Sequence, residues 1–511
     1  GIAGIWHKAD DDDVVRSIME RMVHRGPDAD GVHGRGGGML GHRRLSIMDP
    51  EGGDHPIFSA DGARAIIANG EFYNFPALRG QLEGDYAFQT GCDTEAALHL
   101  FDRRGSDTAA QLDGMFALAI ADRDELYLAR DPIGIKPLYV GRHNGDLAFA
   151  SELKALAGIA EDVHEFPAGS WYHSRDGAEA EAYYEVPDLY PLELSTEEHC
   201  RRVRQTLEAS VEKRLMSDVP LGAFLSGGLD SSLIAAIARQ HLDELHTFSV
   251  GVEGSADLAA ARVVAKHLDT IHHEYVITPA DIREHLPEIL YYLESFDQDL
   301  VRSGVPCFFC SRLAADYVKV ILTGEGADEL FAGYTYYKDI PSEEVLHNEL
   351  RRSVAGLHNV NLQRVDRMTM AHSLEGRVPF LDLKMIETGM QTPAKLKIAR
   401  GPHGDMVEKW VLRQAGADLL PDEIVWRDKE QFDEGSGSID VIGAELEHFL
   451  AARETAGYTE KYAGDQLRSH EECVYHHLLS GAYAEPECVL GNVARWADRP
   501  ELDHEMGTAK A

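Results

Sequence analysis

The chain has 511 residues, 44% hydrophobic and 27% charged, a balance typical of globular proteins and enough chain for two or three domains. Its formal net charge of −38 excludes nucleic acid and acidic membrane surfaces as partners, because both would repel it. Arginine outnumbers lysine more than two to one, and so acid-rich a composition suits a cytosol of high salt, where ions screen the self-repulsion.

Residues 1–185 alternate short apolar runs, such as Ala65-Ile66-Ile67-Ala68 and Phe116-Ala117-Leu118-Ala119-Ile120, with turn signals at Asp61-Gly62 and Asn144-Gly145. Longer helical patterns fall near 13–24 and 93–105. The pattern predicts antiparallel sheets with packed helices. Residues 186–197, with Pro187, Pro191 and several acids, read as a linker. From 198 onward helical patterns lengthen, at 198–215, 231–241, 257–268, 281–296 and 304–316. Short β-like runs separate them at 246–252, 272–277 and 318–323. Strands alternating with helices predict a doubly wound parallel sheet, whose ligands bind beyond the carboxyl ends of strands. Beyond 345 the pattern is helical, and 496–511 is a polar tail. Six scattered cysteines do not make a disulfide scaffold, and Cys307-Phe-Phe-Cys310, in an apolar helical stretch, reads as core. No apolar run reaches the roughly 18 residues of a membrane span, and Asp10 to Asp13 stand where a signal peptide would be basic and then apolar. The expected compartment is therefore cytoplasmic.

Chemistry concentrates first at Ser226-Gly227-Gly228-Leu229-Asp230-Ser231-Ser232. An apolar run precedes it and a helical pattern follows. A strand, a glycine-rich turn and a helix start make an anion site, because backbone N–H groups and the helix dipole both favour negative charge there. The serines add donors, and Asp230 can hold magnesium. No Gly-Lys-Ser/Thr follows, so this is not a Walker A loop. It resembles the loop of enzymes that split ATP into AMP and pyrophosphate. A second acidic loop, Gly324-Glu325-Gly326-Ala327-Asp328-Glu329, also follows a β-like run and can face the first across one nucleotide.

The N-terminal part carries Gly1-Ile2-Ala3-Gly4-Ile5, Arg25-Gly26-Pro27-Asp28, Gly41-His42-Arg43-Arg44-Leu45-Ser46-Ile47-Met48, Asn69-Gly70-Glu71-Phe72-Tyr73-Asn74, Asp93-Thr94-Glu95 and Ala129-Arg130-Asp131-Pro132-Ile133-Gly134. In order and spacing these resemble the glutaminase domain of class II amidotransferases, an N-terminal nucleophile (Ntn) fold. The resemblance implies a glutamine site of Arg44, Leu45, Ser46, Ile47, Met48, Asn69, Gly70, Glu71 and Asp93. Arg44 would pair with the α-carboxylate, Asp93 and Glu71 would hold the α-ammonium, and Asn69 with the Gly70 N–H would form an oxyanion hole. The family's nucleophile is a cysteine immediately before Gly-Ile, its own α-amino group serving as base. No cysteine precedes Gly1 in the sequence. The expectation is a nucleophile lost from the start of the chain, and the alternative is an enzyme fed by free ammonia.

The C-terminal part is similar to the synthetase domain of glutamine-hydrolysing asparagine synthetases. The likeness rests on 224–232, Phe248-Ser249-Val250-Gly251, 324–334, Arg367-Met368-Thr369-Met370-Ala371, Arg377-Val378-Pro379-Phe380-Leu381-Asp382 and Trp426-Arg427-Asp428-Lys429-Glu430-Gln431-Phe432. It implies an ATP site of Leu225, Ser226, Gly228, Asp230, Ser231, Ser232, Val250, Thr323 and Gly324, with Mg2+ on Asp230 and Asp328. Lys429 would neutralise charge at the α-phosphate, and Glu325 would orient or deprotonate ammonia. Arg377 would either support the fold or touch aspartate.

The expected architecture is an α+β Ntn sandwich over 1–185, the linker 186–197, and an α/β doubly wound parallel-sheet domain of the PP-loop, adenine nucleotide alpha hydrolase-like kind with added helices over 198–495. The expected activity is ATP-dependent asparagine synthesis through β-aspartyl-AMP, with ammonia from glutamine, in a homodimer. A β-lactam-synthetase-like amide-forming enzyme and an amidotransferase acting on another acid remain open. A non-enzymatic scaffold would need both sites to fail.

Overall fold

A computed structural model describes residues 1–6, 12–35, 37–177, 179–430 and 432–495. Asp10, Asp11, Gln431 and the expected tail 496–511 lie outside the described residues. The alternating runs of the first part become strands β1 (Ile2–Trp6), β2 (Ala29–Arg35), β3 (Gly38–Arg44), β4 (Ile57–Phe58), β5 (Arg64–Phe72), β6 (Gly114–Asp122), β7 (Glu125–Arg130), β8 (Tyr139–His143), β9 (Asp146–Ala150), β10 (Glu161–Glu165), β11 (Ser170–His173) and β12 (Glu181–Ala182). They pair antiparallel in two sheets, ordered β10-β8-β9-β1-β3-β2 and β12-β11-β7-β6-β5-β4.

Period-2 alternation sends one set of side chains from each sheet inward. Ile2, Trp6 and Leu40 meet Ile67, Ala119 and Leu128 in the layer between the sheets. Helix Asp12–Glu20 packs Val15, Ile18 and Met19 on the outer face of the first sheet. Helices Phe75–Leu82 and Asp93–Arg104 cover the outer face of the second. The order helix, sheet, sheet, helix is the expected sandwich.

No regular element lies between Glu181–Ala182 and helix Thr196–Lys213. That helix opens on a capping box, in which Ser195 accepts from the Glu198 N–H and Glu198 accepts from the Ser195 N–H. The second part builds on β13 (Leu221–Phe224), β14 (His246–Gly251), β15 (Ile271–Val276), β16 (Val320–Leu322) and β17 (Glu375–Arg377). All pair parallel in the order β15-β14-β13-β16-β17. Helices Leu229–His241 and Ala256–Leu268 cover one face. Helices Pro279–Leu293, Gln298–Ala315 and Asn361–Met370 cover the other. The chain reverses its direction of winding between β13 and β16, so the loops after these two strands open a crevice at a topological switch point.

Two differences from the sequence reading have clear causes. Helix Gln298–Ala315 begins six residues before the predicted 304, because the Asp297 side chain caps it by accepting from the Leu300 N–H (3.1 Å). The region beyond 345 contains β17, whose three residues Glu375-Gly376-Arg377 are too few and too polar to show alternation.

The two parts share buried material. Val15, Ile18 and Ala155 of the first belong to one apolar cluster with Leu286, Phe308 and Met368 of the second. Arg25 sits beside this seam, fully buried, donating to Glu152 (2.9 Å) and to both oxygens of Asp366 (2.7 and 3.0 Å). Among the described residues no helix is long and apolar enough to cross a membrane.

Candidate active site

Two sites lie on opposite sides of that seam. The first opens at the start of β1. Gly1 continues the pairing of β1 with β3: its nitrogen donates to Arg43 O (2.6 Å) and its carbonyl accepts from the Arg43 N–H (2.8 Å). Around it, Arg44, Leu45, Ile47, Met48, Asn69, Gly70, Glu71 and Asp93 line one pocket. Ser46 does not line it; its N–H donates to Asp28 (2.8 Å) and holds the turn behind the pocket.

Asn69 Nδ2 is buried without a hydrogen bond, as a donor reserved for a ligand would be. Gly70 adopts φ +136°, and a Cβ there would stand 1.9 Å from Met115 O, so no other residue fits. Asp93 begins helix Asp93–Arg104 and accepts from the Phe72 N–H (2.7 Å). Burial pushes Asp93 up to about 6 against that hydrogen bond. Burial and the Asp93 carboxylate push Glu71 well above the usual carboxylate range, opposed by Arg377. The Arg44 guanidinium is anchored by Asp54 (2.7 Å) and the carbonyls of Met48, Asp49 and Pro50. His42 and His55, to which the sequence reading gave no role, also line the pocket: they stack at 4.2 Å, and burial lowers the pKa of both, to about 3 for His55.

The second site is a cavity of about 510 Å³ at the switch point. Leu225, Ser226, Gly228, Asp230, Ser231, Val250, Thr323, Gly324, Glu325, Asp328 and Lys429 all line it. Ser232 does not; it is fully buried behind the loop, its Oγ without a hydrogen bond. Serine hydroxyls occupy the loop's donors: Ser226 N–H donates to Ser231 Oγ (3.2 Å) and Gly228 N–H to Ser226 Oγ (3.3 Å). Gly227 takes φ +74°, and a Cβ would press into Ala260 at 2.5 Å. The two loops touch, for a Cβ on Gly324 would lie 2.9 Å from Asp230 Cβ.

Lys409, which no motif marked, joins the two acids. Its Nζ lies 2.5 Å from Asp230 Oδ2 and 2.6 Å from Asp328 Oδ1, and Lys429 Nζ lies 3.1 Å from Asp328 Oδ2. Burial would raise the Asp328 pKa, but the two ammonium groups outweigh it and hold it far below the usual range. Lys429 rises above the ordinary lysine value because Asp328 and Asp230 overcome its burial. Lys409 is itself in the left-handed region at φ 54°, a strained non-glycine backbone of the kind found at functional sites. Elsewhere in the cavity Glu325 pairs with Arg364. Glu329 accepts from Tyr334 Oη (2.5 Å) and Asn361 Nδ2 (3.1 Å), and burial with Asp328 pushes it up to about 7. Cys307 and Cys310 are buried as expected and form part of the wall.

The family model for a glutamine amidotransferase domain matches residues 1–166, and that for asparagine synthase matches 202–344 and 338–497. Asparagine synthetase [glutamine-hydrolyzing] 3 of Arabidopsis thaliana is 40% identical over 459 residues, covering 86% of this chain and 79% of that protein. This chain belongs to the glutamine-hydrolysing asparagine synthetases. Asparagine synthetase [glutamine-hydrolyzing] 2 of Lotus japonicus is 39% identical over 86% of the chain and 78% of its own length. Among solved structures, a glutamine phosphoribosylpyrophosphate amidotransferase from B. subtilis overlaps 48% of this chain and 64% of its own at TM-score 0.32 and 21% identity, too distant to bear on the site.

Proposed function

We propose that the chain makes asparagine from aspartate and ATP with ammonia released from glutamine, in two sites divided between a glutaminase domain (1–185) and a synthetase domain (198–495) joined by the linker 186–197. The observation that carries this reading is the chain Asp230–Lys409–Asp328–Lys429, set where two parallel strands end on one nucleotide-sized cavity.

In the first site the pairing of β1 with β3 reaches Gly1 opposite Arg43, so a preceding residue kept in that register would stand opposite Arg44, which lines the pocket. A cysteine there would attack the glutamine amide. Asn69 Nδ2 and the Gly70 N–H would receive the developing oxyanion, with Arg44 on the carboxylate and Asp93 and Glu71 on the ammonium. In the second site Leu225, Val250 and Gly324 frame adenosine, and Thr323 lies beside Gly324 at the end of β16. The loop Ser226–Ser232 receives the phosphates. The aspartate carboxylate attacks the α-phosphorus and pyrophosphate leaves, its charge met by Lys429. Ammonia crosses the interior, is oriented by Glu325 and displaces AMP. Asp230 and Asp328 fit Mg2+ and would hold it: both offer hard carboxylate oxygens, and Asp230 Oδ1 is buried without a hydrogen bond. Mg2+ bound there would supply positive charge to the phosphates. By the family likeness the chain works as a homodimer, and its compartment on this reading is the cytosol.

Pyrophosphate release tests the reading. It should require aspartate, be unsupported by other amino acids, and disappear in Asp230→Ala and Lys429→Ala. Release without aspartate, or with a different acid only, would move the assignment to a related amide-forming enzyme.

A further inference from the structure

Arg377 connects the two sites. It is fully buried and does not line the ATP cavity. Its Nε donates to Glu375 (3.0 Å) and its Nη1 to the carbonyls of Arg214 (2.7 Å) and Met216 (2.6 Å). These acceptors fix the guanidinium and aim Nη2 across the seam, where it makes no hydrogen bond and lies 3.4 Å from Glu71 Oε1. The other Glu71 oxygen, Oε2, is buried and also without a hydrogen bond. Glu71 is 3% exposed and lines the glutamine pocket, as does Glu375 beside Arg377.

We infer that Arg377 is a positioning residue for glutamine hydrolysis: the synthetase part contributes a guanidinium that holds the Glu71 carboxylate for the α-ammonium of glutamine. This rests on the reading of that pocket as a glutamine site. The groups facing Glu71 are the carboxylates of Asp93 and Glu375 and the cations of Arg377 and Lys136. Two acids crowd a third in a dry place, and Arg377 is the nearer counter-charge to it. Without it the proton affinity of Glu71, already raised by burial and Asp93, rises further, and its hold on an ammonium weakens. The backbone of Arg377 faces the other way, for its carbonyl accepts from the Thr323 N–H (2.9 Å) at the lip of the ATP cavity. The glutamine pocket is thus completed by a residue of the strand that borders the ATP site.

Glutamate release from glutamine, measured on the full-length chain without ATP or aspartate between about pH 6 and pH 9, tests this with wild type, Arg377→Met, Arg377→Lys, Glu71→Gln and the Glu71→Gln/Arg377→Met double variant. Arg377→Met should raise the KM for glutamine by about tenfold or more with a much smaller change in kcat, as for loss of a buried charge partner. Its acidic limb should move to higher pH. Arg377→Lys should recover most of the loss and, if the methionine variant does not fold, carries the test through its own shifted pH profile. In the Glu71→Gln background the second substitution should add almost nothing. A wild-type KM and pH profile in Arg377→Met, or a loss of undiminished size in the Glu71→Gln background, overturns the inference. A wild type that releases no glutamate overturns instead the reading of the pocket, and the inference falls with it.

Discussion

At the residue scale, one ammonium shared by two carboxylates distinguishes the cavity between the two loops. Lys409 is 2% exposed and bridges Asp230 and Asp328, whereas Lys429 is 23% exposed and pairs with Asp328. The buried bridge orders the two loops, and the outer lysine remains open to the cavity. Lys429→Met should therefore lower kcat for pyrophosphate release by about a hundredfold or more, as loss of transition-state charge does, with a modest change in the KM for ATP. Lys409→Met should lower the thermal midpoint as well, because it leaves two partly buried carboxylates facing each other. Steady-state kinetics beside a melting curve separates the two. Asp230, Asp328 and Lys429 were legible from their motifs. Lys409 was not, since Val407-Glu408-Lys409-Trp410 matches no pattern and a lone lysine is usually solvated. Asp93 supplies a second test. An acid raised to about 6 by burial destabilises the fold above its ordinary range, and this cost fades as pH falls from about 6 toward about 4. Asp93→Asn should raise stability at pH 7 by about 1–2 kcal/mol while weakening glutamine, and the wild-type KM for glutamine should improve as pH rises through about 6. Differential scanning calorimetry and glutaminase kinetics check both halves.

At the scale of elements, function depends on where strands end and which turns meet. The loop after β13 was recognisable because glycines, serines and an acid fall between an apolar run and a helix. Its contact with the loop after β16 was expected from strand alternation alone, since a doubly wound sheet places such loops at one edge. β17 escaped because its identity lies entirely in pairing with β16, from Val320 opposite Glu375 to Leu322 opposite Arg377. The same holds for the turn Val23–Arg25, short in sequence but central in packing. Arg25 ties this turn to the segment at Glu152 and to helix Asn361–Met370. Arg25→Met should lower stability by about 3–5 kcal/mol, the cost of leaving buried charges unpaired, read as a drop in the urea midpoint. It should also weaken ammonia transfer, seen as glutamate formed in excess of asparagine, because the seam between the two sites loosens.

For the whole molecule, the net charge of −38 acts everywhere at once. Raising salt from about 0.1 M to about 1 M shortens the screening length from about 10 Å to about 3 Å. The urea midpoint should therefore rise with salt, and a flat response would show that the acids are already balanced locally by arginine pairs. Composition and patterning determined the two-part architecture, the strand–helix alternation and most of the residues that line the two pockets, because these are written in local periodicity and in short motifs. Tertiary structure alone decided that Lys409 bridges the acids, that β17 closes the sheet, that Ser46 and Ser232 stand behind their sites, and that Arg377 reaches Glu71 rather than the ATP cavity. Each of these depends on groups far apart in sequence meeting in a dry interior, where charge must find charge. Burial and distance set that condition, and neither is visible in the order of residues.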